Sequence, residues 1–222
     1  MQTKAVHSGY KCMTSKLIDT YIEYTLTHQK GPSSVYEFAK LANMAENEFY
    51  NHYASLEALE MDIFRQWFIQ TRDAVTQTEV YAHYSTREKM LAFFFGWIEK
   101  LKQQRSFVKF MFERKSRHLQ VPQFPVFLKS MRESYLEYAR HMVNEAIDKN
   151  EITERKYISD KYDEALWANL LFVMGFWLKD SSNAFEKTDE AIERSVNLAF
   201  DLMGRSPLDS MIEFGKFLFQ NR

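Results

Sequence analysis

The sequence predicts an all-α fold, with an N-terminal three-helix domain of helix-turn-helix type over residues 1–55 and a larger helical bundle over residues 56–222. Three observations carry this. Glycine and proline are scarce, 6 and 4 in 222 residues, too few for the turns that a sheet protein of this length needs. Apolar residues recur at helical spacing along most of the chain. Polar caps open two of the periodic runs, Ser34 with Glu37 and Ser85 with Glu88.

Residues 1–14 read as a loose arm. A first helix is expected over 15–28, where Leu17, Ile18, Tyr21, Ile22, Thr25 and Leu26 keep helical spacing, and Lys30-Gly31-Pro32 stops it. A short helix over 35–41 follows the Ser34 cap. Asn43 suits a left-handed turn. A third helix is expected over 46–53, and Ser55 caps a fourth over 56–75, with Leu59, Ile63, Trp67 and Thr71 every fourth residue. Further helices are expected over 90–101, 107–119, 127–150, 156–179, 189–203 and 208–219. Pro122 and Pro125 mark a loop or kink. Three short helices feeding a long one, with a tight bend between the second and third, form a helix-turn-helix arrangement.

Composition narrows the class. With 45% hydrophobic and 16% aromatic residues the chain is too apolar for disorder. Basic and acidic residues nearly balance, 29 against 30, so overall charge neither marks nor excludes a nucleic-acid binder. A single cysteine, Cys12, leaves no internal disulfide framework and suits a reducing compartment. The start lacks a basic stretch followed by an apolar run, and the most apolar segment, 165–178, is too short to span a bilayer and is interrupted by Asn169. The expectation is a cytoplasmic protein without a membrane span.

Residues 34–59, SVYEFAKLANMAENEFYNHYASLEAL, resemble the DNA-binding domain of the TetR family of bacterial transcriptional regulators. Val35, Phe38 and Ala39 take the apolar places of the second helix. Ala42, Asn43 and Met44 stand at the family's turn. Phe49, Tyr50, His52 and Tyr53 stand at its aromatic-histidine run, and Ser55, Glu57, Ala58 and Leu59 open its fourth helix. The resemblance implies a TetR-like, ligand-responsive transcriptional regulator that binds double-stranded operator DNA as a homodimer, is not an enzyme, and needs no cofactor or metal. Its implied DNA-contacting residues are Ser34, Asn47, Glu48, Tyr50, Asn51 and His52, with Lys4 and Lys11 of the arm.

The reading helix departs from the family pattern. Ala45 cannot cap it. Glu46 and Glu48 suit the positive end of the helix dipole and repel phosphate. Residues 1–70 carry six lysines and arginines against eight acids, unusual for a surface that tracks a polyanion. A protein of the same fold without DNA recognition, carrying an apolar or lipid-like ligand or a protein partner, is the alternative.

The larger domain is dense in aromatic residues. A pocket for a small apolar or aromatic effector is expected to draw on Phe94, Trp97, Phe110, His118, Phe127, Tyr138, His141 and Trp167, with Asn144 and Asn169 as further polar candidates. Residues 100–117 are basic and amphipathic, reading as a solvated face or as a contact for an acidic headgroup. The segment 165–178 is apolar nearly all round, so a face between two copies is expected. Leu166, Leu170, Val173, Phe176 and Trp177 would build it with Ile192, Val196, Phe200 and Met203. No phosphate-binding glycine loop, HExxH, paired-cysteine site or nucleophile elbow is present in the sequence, and the histidines lack metal-ligand spacing.

Overall fold

The computed structural model describes residues 2–116, 125–156, 158–204 and 217–218, with side chains from residue 13 onward and not at 115 and 116. No strand occurs among the described residues. The helices are α1 (Gln2–His28), α2 (Val35–Leu41), α3 (Glu46–Phe49), α4 (Leu56–Thr76), α5 (Thr86–Lys102), α6 (Arg105–Ser116), α7 (Lys129–Asp148), α8 (Tyr162–Lys179) and α9 (Glu186–Met203). Short 3-10 turns lie before α5, α7, α8 and α9.

The expected loose arm is helical instead: α1 begins at Gln2. No proline and only Gly9 interrupt residues 2–28, so nothing ends helix propagation from the amphipathic part. The helix stops where expected. Gln29 turns left-handed at φ 54°, and its side-chain amide donates to the Leu26 carbonyl at 2.7 Å. Gly31 leaves room here: a Cβ would lie 3.1 Å from the Tyr21 hydroxyl and 3.3 Å from an Arg114 guanidinium nitrogen, a tight fit. The helix expected over 208–219 lies outside the described residues except for 217–218, which are helical; Pro122 also lies outside them.

The chain groups into two compact units: residues 1–67 with 101–131, and 68–100 with 132–222. The boundary read from the sequence after residue 55 therefore falls inside the first unit, which also takes the start of α4 and all of α6.

In the first unit the core is built of rings. Tyr21 and Phe38 meet edge to face at 5.8 Å, as do Phe38 and Phe49. Phe64 lies 4.9 Å from Phe127, and Trp67 lies 6.0 Å from Phe107. All are buried. Each such side chain contributes about 1.5–3 kcal/mol by leaving water, and edge-on ring pairs add about 0.5–1.5 kcal/mol. One ionic group lies among them. Glu60 accepts from the Tyr21 hydroxyl and from Arg114 Nη2 at 2.7 and 2.8 Å. Burial, then the neighbouring Glu60 charge, pushes the Tyr21 phenol far up.

The second unit has its own aromatic cluster. Phe68, Phe93, Tyr135 and Tyr138 meet at 5.2 to 6.4 Å, and Trp167 packs on Tyr135 at 5.4 Å. Helix α5 is capped twice. The expected Ser85–Glu88 box forms, with the Ser85 N–H donating to Glu88 at 2.7 Å and the Glu88 N–H to the Ser85 hydroxyl at 3.2 Å. Glu151 then accepts the Thr86 N–H at 2.9 Å, satisfying an orphan donor of the first turn. Helix α8 packs on α9, and α9 is held at both ends. Asp180 accepts from the Thr188 hydroxyl and N–H at 2.6 and 3.0 Å. Arg155 donates to the carbonyls of Leu202, Met203 and Gly204 at 3.2, 3.2 and 2.7 Å.

Candidate functional sites

The first site is the α2–α3 corner of the first unit. The Ser34 hydroxyl accepts the Glu37 N–H at 3.1 Å and so caps α2. The reciprocal half of the expected box closes one residue earlier. Glu37 accepts from the Ser33 N–H at 2.8 Å, from the Ser33 hydroxyl, and from the Tyr24 hydroxyl at 2.7 Å. These bonds, the Ser33 hydroxyl foremost, hold the Glu37 carboxyl at about 2. The chain then reverses at Asn43, left-handed at φ 51°, with the Met44 N–H donating to the Ala39 carbonyl at 3.0 Å.

Helix α3 covers Glu46–Phe49 and is shorter than the 46–53 expected. Residues 50–52 continue as turns, with the His52 N–H donating to the Phe49 carbonyl at 2.9 Å. Ala45 offers no side-chain acceptor. The Glu48 carboxylate instead accepts the Ala45 N–H at 3.1 Å. Glu46 accepts from the Tyr50 hydroxyl at 3.3 Å, and that phenol is raised by partial burial and then by the Glu46 charge.

Phe38 and Phe49 bury one side of this corner, and the other stays open. Ser34, Asn47, Glu48, Asn51 and Tyr50 are exposed, together with Tyr36 and a Lys40 ammonium 5.6 Å from its ring. Tyr36 and Lys40 were missed in the sequence; their place two and six residues after the Ser34 cap could have shown that they leave the buried face. His52 is half-buried and lines a small polar cleft with Thr14, Asp62, Arg65, Gln66 and Ser130. Lys4 and Lys11 lie on α1, and their side chains are outside those described.

The acid excess of residues 1–70 is partly internal. Glu60 and Asp62 are buried; Glu60 pairs with Arg114, and Asp62 pairs with Arg65 at 2.6 Å while accepting from the Tyr53 hydroxyl at 2.9 Å. Arg114 accordingly leaves the basic segment 100–117 and points inward.

The second site is an open apolar groove of about 1050 Å³ along α8 and α9, wholly within the second unit. Its walls include Ala165, Phe172 and Phe176 of α8 and Ala191, Leu198 and Leu202 of α9, and its edge carries Lys161, Lys187, Glu190 and Arg194. Phe172 is 54% exposed, Leu198 58% and Leu202 55%. Most of the residues expected between two copies lie elsewhere than on these walls. Leu166, Leu170, Val173, Trp177, Ile192, Val196 and Phe200 are buried within the single chain. Met203 is also buried, though it touches the groove, and Phe176 alone of the expected set is exposed. A helix apolar all round has two faces to bury, and the inward one took the residues named from sequence.

The residues expected around a ligand are shared between the two units. Phe94, Trp97, Tyr138 and Trp167 are buried in the second unit, where Tyr138 and Trp167 join the aromatic cluster, while His141 is exposed. Phe127 and Phe110 belong to the first unit. Phe127 is core there, and half-buried Phe110 lies 5.9 Å beneath the Arg114 guanidinium. His118 lies outside the described residues. Among the described residues no group of acids, histidines or cysteines is placed to hold a metal ion, and no helix is long and apolar enough to cross a membrane.

The described residues combine a helix-turn-helix corner near the N-terminus with an apolar face on α8 and α9. Residues 89–218, more than half of the chain, match the Tetracyclin repressor-like, C-terminal domain family. The chain belongs to the TetR family of transcriptional regulators, whose members are transcription factors rather than enzymes. Comparison with curated proteins gives no match. Solved structures share the fold. A protein assigned as a TetR-family transcriptional regulator from Syntrophomonas wolfei aligns with a TM-score of 0.64 at 16% identity, over 85% of this chain and 95% of its own. The TetR transcriptional regulator from Nitrosomonas europaea aligns at 0.59 and 15%, over 84% and 97%. A Clostridium perfringens protein assigned as a fatty acid metabolism regulator aligns at 0.54 and 18%, over 86% and 100%.

Proposed function

We infer that this chain binds operator DNA as a homodimer and that a small apolar effector in the second unit changes that binding. The observation that carries the DNA reading is the α2–α3 corner. Phe38 and Phe49 anchor it from behind, and its open edge presents Ser34, Asn47, Tyr50 and Asn51, which can donate to phosphates and base edges. Glu48 is engaged in capping, and Glu60 and Asp62 are neutralised inside. The acids that counted against DNA in the sequence therefore do not all face outward.

The homodimer reading rests on the groove. Four large apolar side chains (Phe172, Phe176, Leu198 and Leu202) stand in water together with Ala165 and Ala191, on two helices that pack on each other. A contiguous patch of this kind marks an interface. Two antiparallel helices meeting the same pair on a second copy make a four-helix seam, and a stable dimer needs about 800 Å² from each partner. An effector would act by linkage, binding one arrangement of the dimer more tightly than another. Of the residues expected around it, Phe94, Trp97, Tyr138, His141 and Trp167 lie in the second unit and are the surroundings proposed for it.

Selection of genomic fragments by the purified protein tests the DNA reading. An enriched sequence whose affinity falls with salt supports it. Absence of any enriched sequence, with and without extracts containing small molecules, favours the alternative, a ligand-binding or partner-binding protein of the same fold. The exposed Glu46 is the observation on that side.

A further inference from the structure

The 3-10 turn Glu79–His83 lies between α4 and α5, within the second unit. Glu79, Val80, Ala82 and His83 are exposed, and Tyr81 is the buried residue of the turn. Its backbone bonds are local, from the Tyr81 N–H to the Thr78 carbonyl and from the Tyr84 N–H to the Tyr81 carbonyl. The Tyr81 side chain thus carries the turn inward, and its polar partners there are weak. The Tyr81 hydroxyl lies 3.5 Å from the Tyr138 hydroxyl, at the limit of a hydrogen bond, and 3.9 Å from the Met142 sulfur. Tyr138 itself packs on the rings of Phe68, Phe93 and Tyr135.

A buried cation lies at the same place. Lys89 of α5 is 8% exposed, and its ammonium stands 5.0 Å from the centre of the Tyr81 ring. It donates to Glu145 Oε1 at 2.6 Å, and Lys149 donates to the same oxygen at 2.6 Å. Two ammonium groups share one carboxylate, which leaves one positive charge over. An ammonium carries three donors, and the bond to Glu145 is the one that Lys89 Nζ makes among the described residues. Burial foremost, then the bond with Tyr81, pushes the Tyr138 phenol far up, so it stays an O–H donor. Apolar rings with a few converging donors are what orients a ligand by one polar end. We propose that Tyr81 plugs the effector site of the second unit and that the effector is an apolar acid: it displaces Tyr81, lays its hydrocarbon part against the cluster of rings, and sets its carboxylate between the Lys89 ammonium and the Tyr138 hydroxyl. This rests on the effector reading above and adds the class of molecule to it. Lifting the plug breaks no strong polar bond, and Glu145 keeps Lys149 when the ligand's acid takes Lys89.

Isothermal titration calorimetry on the full chain tests this with three probes of one chain length, octanoate, octanol and octylamine, on wild type, Tyr81→Ala, Lys89→Met and Tyr138→Phe. Circular dichroism checks that the helices persist. Wild type is expected to bind octanoate about tenfold or more tightly than octanol, through a charge-assisted bond made out of water, and octylamine most weakly. Lys89→Met is expected to bind acid and alcohol alike. Tyr138→Phe, which keeps the ring, is expected to bind the acid several-fold more weakly. Tyr81→Ala is expected to bind both acid and alcohol more tightly than wild type, because no plug has to be displaced first. Equal binding of acid and alcohol by wild type overturns the acid and leaves an effector site standing. An unchanged preference in Lys89→Met overturns the place given to the carboxylate. So does full octanoate affinity in Tyr138→Phe, which decides alone should Lys89→Met unfold. Tyr81→Ala binding no better than wild type overturns the plug. If no probe binds wild type or Tyr81→Ala, this inference and the effector reading fall together.

Discussion

Arg114 on α6 places its Nη2 2.7 and 2.8 Å from the two carboxylate oxygens of Glu60 on α4, and the Tyr21 hydroxyl of α1 donates to the same carboxylate. Glu60 is buried, whereas the Arg114 side chain keeps 30% of its surface in water. The two residues are far apart in sequence and tie three helices of the first unit together.

Arg114→Ala leaves Glu60 buried without its cation and is expected to lower stability by about 3 kcal/mol, read as a lower denaturant midpoint. The pair is coupled, so Glu60→Leu with Arg114→Met in one protein is expected to cost less than the sum of the single changes. Additive losses would show that the two side chains do not act as a unit.

Glu46 and Glu48 open α3, and Glu48 caps it by accepting the Ala45 N–H at 3.1 Å. A glutamine there keeps an acceptor oxygen and loses the charge. Changing both residues to glutamine is therefore expected to preserve the fold and raise non-specific DNA affinity several-fold at low salt, since two fixed negative charges no longer oppose phosphate. Fluorescence anisotropy with an arbitrary duplex reads this. Unchanged affinity would mean that the corner does not face the duplex.

Asp180 is held at about 2 by the Thr188 hydroxyl foremost, then by the Ser182 hydroxyl and two backbone N–H groups. Its usual value is about 3.9. A depressed carboxyl stabilises the fold above its unfolded value, and this contribution fades as pH falls towards about 2. Asp180→Asn is thus expected to melt earlier than wild type at neutral pH, with the gap closing as the solution is acidified through that window. Thermal melts across the acid range check this, and a gap independent of pH would contradict it.

Phe172 and Leu198 stand on opposite walls of the groove, each more than half exposed. Phe172→Arg is expected to leave the melting temperature of the monomer near that of Leu198→Glu and to abolish self-association. Light scattering after size exclusion reads both, and a persisting dimer would place the interface elsewhere.

Local features were legible in the sequence. The caps Ser34 and Ser85 and the stop at Lys30-Gly31-Pro32 sit where expected, because a cap needs only residues three or four apart. The bend at Asn43 was legible for the same reason. What failed were questions that depend on the other side of a helix. The apolar run of α8 shows that its residues are apolar all round, but period alone cannot say which face is covered within the chain and which is left open: Leu166 and Trp177 are buried, and Phe172 is exposed. Phe94, Trp97 and Phe127 turned out to be core for a related reason: an aromatic side chain reads alike in a wall and in a packed interior. The link from Glu60 to Arg114, and that from Asp180 to Thr188, joins residues whose pairing no short pattern announces.

Footprinting on a selected genomic fragment, with wild type beside Leu198→Glu, tests the central claim of a dimer reading DNA through its α2–α3 corners. The expected result is two protected half-sites, with centres about 34 to 36 Å apart along the duplex, both weakened together in Leu198→Glu and lost when Asn47 and Asn51 are changed to alanine. Protection unaffected by the two alanines, or a single site held equally by both proteins, would contradict it.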